Sequence, residues 1–154
     1  MQEIMAGGYP DKKKMTVVLA NGVFDLLHFG HLMHLQEART LGDTLIVSVT
    51  TDECVNKGPG RPVFKLYQRM AILRALAIVD DVIPASGCEE AIRRVRPSIY
   101  VKGIEYKGNL PEQVLVESFG GRVHFTHDEE GSLIKTTNLL RYLADDADKP
   151  FGPG

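Results

Sequence analysis

The stretch Asn21–Leu35, NGVFDLLHFGHLMHL, decides the reading of this chain. Before it, Met15–Ala20 (MTVVLA) is a short apolar run rich in β-branched residues, the pattern of a buried strand. After it, Leu32, Leu35, Ala38 and Leu41 step by three along one face, which predicts a helix over Phe29–Leu41. Gly42 is placed to end that helix. A strand thus runs through a glycine turn into a helix opened by His-x-Gly-His. The first turn of a helix carries unpaired N–H groups and a partial positive charge. The junction is therefore an anion site in prospect. Gly22 and Gly30 would let a ligand approach the backbone closely. His28 and His31 would add imidazole donors able to follow charge developing on a phosphoryl group.

Working outward, the alternation repeats. Thr44–Thr50 (TLIVSVT) reads as a second buried strand, and Asp52–Pro62 as a loop broken by Lys-Gly-Pro-Gly. Val63–Ile78 reads as a helix with Leu66, Met70, Leu73 and Ala77 inward. Asp81–Pro84 is a short third strand. Ser86 with Glu89 predicts a capping box for a helix whose inner face is Cys88, Ala91, Ile92 and Val95, stopped by Pro97. Ser98–Val101 is a fourth strand. Asn109 and Pro111 predict the start of a helix that closes at Gly120-Gly121. Arg122–Thr126 is a fifth strand, and Thr136–Ala144 a last helix. This order predicts an α/β, Rossmann-like three-layer sandwich: one domain over 15–144 with a five-stranded parallel sheet and right-handed crossovers. Residues 1–14 read as a flexible arm and 145–154 as a tail. Ligand sites in such sheets form beyond the carboxyl ends of the strands. The loops at those ends begin at Asn21, Asp52, Lys102 and His127.

Composition narrows the classes. The chain has 154 residues, 44% hydrophobic and 25% charged, the balance of a globular domain rather than a disordered one. A net charge of −2 argues against nucleic acid or an anionic membrane as partner. The longest apolar runs fall far short of a membrane span, and the first residues have no apolar leader, so a cytoplasmic protein is expected. Cys54 and Cys88 form no C-x-x-C motif; Cys88 reads as a small core residue. His34 extends the histidine series to three, but His28 and His34 would lie about 120° apart around a helix. No metal site is therefore expected there, and His34 reads as a helix-surface or packing residue.

Four segments in order carry a resemblance: NGVFDLLHFGH, GRPVFKLYQRMAIL with VDDVI, RPSIYVKGIEY, and GGRV with EEG and TTNLL. Together they resemble the cytidylyltransferase-like branch of the H-x-G-H nucleotidyltransferases. Within it they look most like the adenylyltransferase domain of enzymes that make ADP-heptose. The resemblance implies transfer of AMP from ATP to a sugar phosphate such as heptose 1-phosphate, with release of pyrophosphate and Mg²⁺ arriving on the nucleotide. It implies that His28 and His31 bind the phosphates and stabilise the transition state, helped by Lys57 from a mobile loop. Asn21, Gly22, Val23, Phe24, Gly30, Lys102, Gly103, Glu105, Thr136 and Thr137 would contact the nucleotide, and Lys57 and Arg61 the phosphate-bearing acceptor. A homodimer is implied as well. Two departures stand out: Glu105 where the family has Asp, and two extra residues with Lys135 before the threonine pair. The alternatives are a CTP-dependent cytidylyltransferase acting on glycerol 3-phosphate or a related phosphate or phosphonate, an FAD synthetase, and a nucleotide-binding sensor without turnover. Residues 54–60 are expected to be mobile when empty, with Lys57 away from the site until a triphosphate draws it in.

Overall fold

The computed structural model describes residues 15–127. Within them the elements run β1 (Val17–Gly22), α1 (Phe29–Arg39), β2 (Thr44–Thr50), α2 (Leu66–Arg74), β3 (Asp81–Ala85), α3 (Cys88–Val95), β4 (Ile99–Gly103), α4 (Gln113–Ser118) and β5 (Arg122–Thr126). The five strands form one sheet in the order β3-β2-β1-β4-β5, with every neighbouring pair parallel. The α/β three-layer expectation holds. The arm, the tail, the helix over 136–144 and the residues Lys135, Thr136 and Thr137 lie outside the described residues.

Period-two alternation sorts the core into two layers. Val18 and Ala20 of β1, Leu45, Val47 and Val49 of β2, and Ile99 and Val101 of β4 face α1 and α2, where Leu35, Ala38, Met70 and Leu73 meet them. Leu19 and Tyr100 point the other way, against Ala91 and Ile92 of α3 and Val116 of α4. Cys88 packs at the edge of this second cluster, as its sequence neighbours suggested. The chain leaves β1 toward β2 and β3 and later returns to β4 on the opposite side. The strand order therefore reverses between β1 and β4, and a crevice opens beyond their carboxyl ends.

Three local expectations are corrected. The helix expected over Val63–Ile78 is only Leu66–Arg74. The N–H groups of Val63 and Phe64 are taken by the Asp25 carboxylate at 2.6 and 3.0 Å, and the extended backbone of Lys65 (ψ 159°) sets the start of the helix at Leu66. Lys65 caps the start, its N–H donating to Gln68 Oε1 at 2.9 Å. Ala77 falls beyond the end and is exposed. Secondly, α3 starts at Cys88 with Gly87 as its N-cap, and the carboxylate that reaches back to the Ser86 N–H is Glu90, not Glu89. Glu89 pairs instead with Arg93, one turn on. Thirdly, Gly42 is not a left-handed helix cap: α1 ends at Arg39 with Thr40 as its C-cap. A Cβ at Gly42 would stand 2.6 Å from the Thr16 carbonyl oxygen, so this glycine is required by close backbone packing.

Candidate active site

The α1 N-terminus is capped by imidazoles rather than by hydroxyl or carboxylate. His28 is the N-cap, and its Nδ1 accepts from the Gly30 N–H at 3.0 Å. His31 reaches back, its Nδ1 accepting from the His28 N–H at 3.2 Å. The two rings stack with centroids 3.9 Å apart. A ring nitrogen that accepts from an amide cannot itself carry a hydrogen. In the neutral rings the proton therefore sits on Nε2 of both histidines. One consequence differs from the sequence reading. The Gly30 N–H is spent on the cap, so the helix end offers fewer backbone donors to a ligand.

The turn that delivers these histidines is strained. Phe24 and Leu26 have φ of 51° and 53°, left-handed values that side chains rarely adopt. Between them Asp25, only 2% exposed, accepts from the Arg61 Nε at 3.1 Å as well as from Val63 and Phe64. Burial works to raise the Asp25 pKa. The amides of Val63 and Phe64 and the Arg61 guanidinium outweigh that and hold it below the usual carboxylate value. Arg69 of α2 braces the same region from beneath and is fully buried. It donates to the Val23 carbonyl at 2.8 Å, the Phe64 carbonyl at 2.9 Å and Asp52 Oδ1 at 2.6 Å. Gly22 closes the turn: a Cβ there would meet the Phe24 ring at 3.0 Å. The Phe24 ring in turn lies 5.4 Å from that of His31.

These segments enclose a cavity of about 380 Å³ at the switch point. Its walls include Asn21, Gly22, Val23 and Phe24 from the end of β1 and the turn, and His28, Gly30 and His31 from α1. Lys57 and Arg61 come from the loop after β2, and Lys102, Gly103 and Glu105 from the end of β4. All the expected site residues that are described thus meet in one cavity. Lys57 is among the lining residues. Arg61 is not a solvated loop residue but an ion-pair partner of Asp25, its side chain 9% exposed.

The sequence reading missed Asp25, His34, Thr50 and Tyr106 on the same walls, and Arg69 behind them. Asp25 stood inside the quoted motif, but its partners lie nearly forty residues away. His34, read as a surface or packing residue, lines the cavity with its Nδ1 2.8 Å from Thr126 Oγ1 of β5. Three further contacts complete the setting. Asn21 Oδ1 accepts from Ser48 Oγ at 2.6 Å. The Lys102 ammonium sits 4.7 Å from the Tyr106 ring centroid. Glu105 folds back over Gly103.

Burial pushes the His31 pKa down to about 3, with the nearby His28, His34 and Lys57 charges adding to it. Burial likewise lowers His34 to about 4, Lys102 assisting. Both are neutral at pH 7. In the unfolded chain each would protonate near 6.5. As pH falls from 6.5 the unfolded chain therefore binds protons that the folded one refuses, and stability is lost down to about pH 3. Between pH 7 and pH 5 the two should cost about 1–2 kcal/mol each. The lowered Asp25 carboxylate adds its loss only further down, below its ordinary 3.8. The urea midpoint is expected to fall between pH 7 and pH 5; equal midpoints would show that the imidazoles are not buried neutral.

The geometry agrees with the comparisons. A model of the cytidylyltransferase-like family matches residues 19–141. The chain belongs to the cytidylyltransferase-like family. It is 44% identical over 139 residues to the bifunctional protein HldE of Vibrio atlanticus, covering 85% of this chain and 28% of that one. HldE of Syntrophotalea carbinolica is 41% identical over 142 residues, covering 87% and 28%. The chain thus spans little more than a quarter of the curated relatives it matches. Among solved structures, a lipopolysaccharide core biosynthesis protein from Thermoplasma volcanium superposes with a TM-score of 0.62 at 30% identity, covering 75% of this chain and 97% of that one. Pantoate-beta-alanine ligase from Francisella tularensis shares the fold alone, with a TM-score of 0.56 at 16% identity over 75% of this chain and 60% of that one. As a cytidylyltransferase-like domain, the chain is a nucleotidyltransferase. No described helix is long and apolar enough to cross a membrane.

Proposed function

We propose that this domain transfers AMP from ATP to a sugar phosphate such as heptose 1-phosphate and releases pyrophosphate. The observation that carries the reading is the pair of stacked, neutral imidazoles at the α1 N-cap, facing one cavity with Lys57 and Arg61. Their similarity to HldE, and to a lipopolysaccharide core biosynthesis protein, supports a sugar phosphate as acceptor.

The chemistry follows from these groups. An oxygen of the phosphate monoester, already ionised at pH 7, attacks the α-phosphorus in line. The new P–O bond forms as the bond to the bridging α,β oxygen breaks, and pyrophosphate leaves with that electron pair. The chain supplies no nucleophile and needs no proton abstraction. It holds the two phosphates together and neutralises charge that grows on the α-phosphate oxygens and the leaving group. His28 and His31 donate through Nε2–H, and Lys57 places its ammonium beside them. Mg²⁺ would arrive held by the triphosphate oxygens and would neutralise part of their charge; among the described residues no three His, Cys, Asp or Glu side chains converge to hold an ion of their own. Homodimerisation belongs to this reading through the family resemblance, and sedimentation at micromolar concentration tests it.

The deciding experiment is pyrophosphate release from ATP, CTP, GTP and UTP with a panel of sugar 1-phosphates, glycerol 3-phosphate and FMN. Turnover with ATP and a heptose 1-phosphate is the expected result. Turnover with CTP and glycerol 3-phosphate, or with ATP and FMN, would replace it by one of the other members of the family. Nucleotide binding without turnover on any acceptor would leave a sensor. Removing the Lys57 ammonium withdraws one charge-assisted contact, which is worth a factor of about 10–100 in rate. Lys57→Ala is expected to lower kcat for pyrophosphate release by that factor, with the urea midpoint unchanged. A normal kcat would leave the histidines to act without it.

A further inference from the structure

His34 stands one turn beyond His31 on α1, about 4.5 Å farther along the helix axis. Lys102 and Glu105 act electrostatically on its ring, and both line the same cavity together with Gly103 and Tyr106. The Thr126 hydroxyl lies between two partners: His34 Nδ1 at 2.8 Å and the Lys102 carbonyl oxygen at 3.4 Å. A hydroxyl has one hydrogen, and a carbonyl can only accept. With that hydrogen directed to Lys102, the Thr126 oxygen accepts from the ring, and Nδ1 carries the proton. The buried ring is neutral, so Nε2 is a bare lone pair. Of the charges near the ring, Lys102 acts most strongly and favours a lone pair over an N–H, while the Glu105 and Glu37 carboxylates act the other way. This is the reverse of His28 and His31, whose Nδ1 atoms accept and whose Nε2 atoms donate. The cavity thus has donors at one end and an imidazole acceptor, with the Glu105 carboxylate, at the other. Among the described residues nothing hydrogen-bonds to His34 Nε2.

We propose that His34 is a specificity-determining residue that accepts a hydrogen bond from a ribose hydroxyl of the bound nucleotide. The inference rests on the nucleotidyl-transfer reading above. Ribose joins the α-phosphate through a single methylene, so its hydroxyls fall within one helical turn of the groups that grip the phosphate. An amino group on the base edge lies farther out. A lone pair at His34 is therefore in reach of the sugar, and it rewards a hydroxyl while offering nothing to a deoxy position.

The test is calorimetric binding of ATP, 2′-deoxy-ATP, 3′-deoxy-ATP and ITP to the unaltered protein, His34→Leu and His34→Gln. The unaltered protein is expected to bind ATP about 10-fold more tightly than at least one deoxy analogue, the worth of one hydrogen bond with a buried acceptor. His34→Leu should bind ATP about 10-fold more weakly and no longer distinguish it from that analogue. His34→Gln, whose amide oxygen can accept, should recover part of the preference. The ¹⁵N spectrum should show His34 unprotonated at Nε2 and His31 unprotonated at Nδ1. Equal weakening of all four nucleotides by His34→Leu would mark a merely structural role and overturn the inference. So would loss of the ATP–ITP difference in place of the ribose difference. If His34→Leu does not fold, a protonated Nε2 in the unaltered protein is sufficient to refute it. Failure of the unaltered protein to bind any of the four nucleotides would refute the nucleotide site itself, a separate outcome.

Discussion

His31→Ala is expected to lower kcat for pyrophosphate release by about 10²–10³-fold, the worth of one preorganised donor aimed at developing charge. The size of the effect follows from how the ring is held. Its Nδ1 is fixed by the His28 amide, its face is packed against His28 and tilted against Phe24, and burial keeps it neutral. The Nε2–H is thus aimed before substrate arrives and needs no reorganisation during transfer. Because the donor interacts with charge that appears only as the bonds rearrange, kcat should fall far more than KM rises. The loss should be constant from pH 6 to 8, since the ring does not titrate there. Circular dichroism should show the fold intact, because the losses are local, the reciprocal cap on His28, about 1 kcal/mol, and the ring's packing against His28 and Phe24. A kcat within a few-fold of the unaltered enzyme would remove His31 from the reaction.

Arg69→Met is expected to have the largest effect on stability. Methionine fills a similar volume but leaves the Val23 and Phe64 carbonyls and the Asp52 carboxylate without their shared donor. Breaking a buried charged network in this way costs about 3–5 kcal/mol. A chain of this size should then melt roughly 10 °C lower or more. The three acceptors belong to the turn before α1 and to both ends of the loop that carries Lys57. Activity at a temperature where the variant is still folded should therefore drop as well. Asp52→Asn, which loses only a half-exposed partner, should cost about 1 kcal/mol. Melting of Arg69→Met within 2–3 °C of the unaltered protein, about 1 kcal/mol, would show that the three segments hold together without it.

The elements legible in the sequence were those with a local cause. Apolar runs rich in β-branched residues marked β1 and β2, and the alternation of strand and helix dictated a parallel sheet with its site at the carboxyl ends. The histidine pair and its glycine were legible as a helix-start feature because spacing within one helix start is a local matter. The tertiary structure alone decided everything that depends on partners distant in the chain. Asp25 anchors the segment before α2 by accepting from the N–H groups of Val63 and Phe64, and nothing between 61 and 66 reveals it. Arg69 sits on an otherwise apolar helix face and becomes a brace only where three segments converge. Gly42 is a glycine because Thr16 passes against it, not because a helix ends there. His34 looked like one more helical histidine until β5 brought Thr126 to its ring. Periodicity along a chain tells which face of an element is buried. It does not tell what that face meets, and hydrogen-bond direction, which assigns the roles of His28, His31 and His34, exists only once the partners are in place.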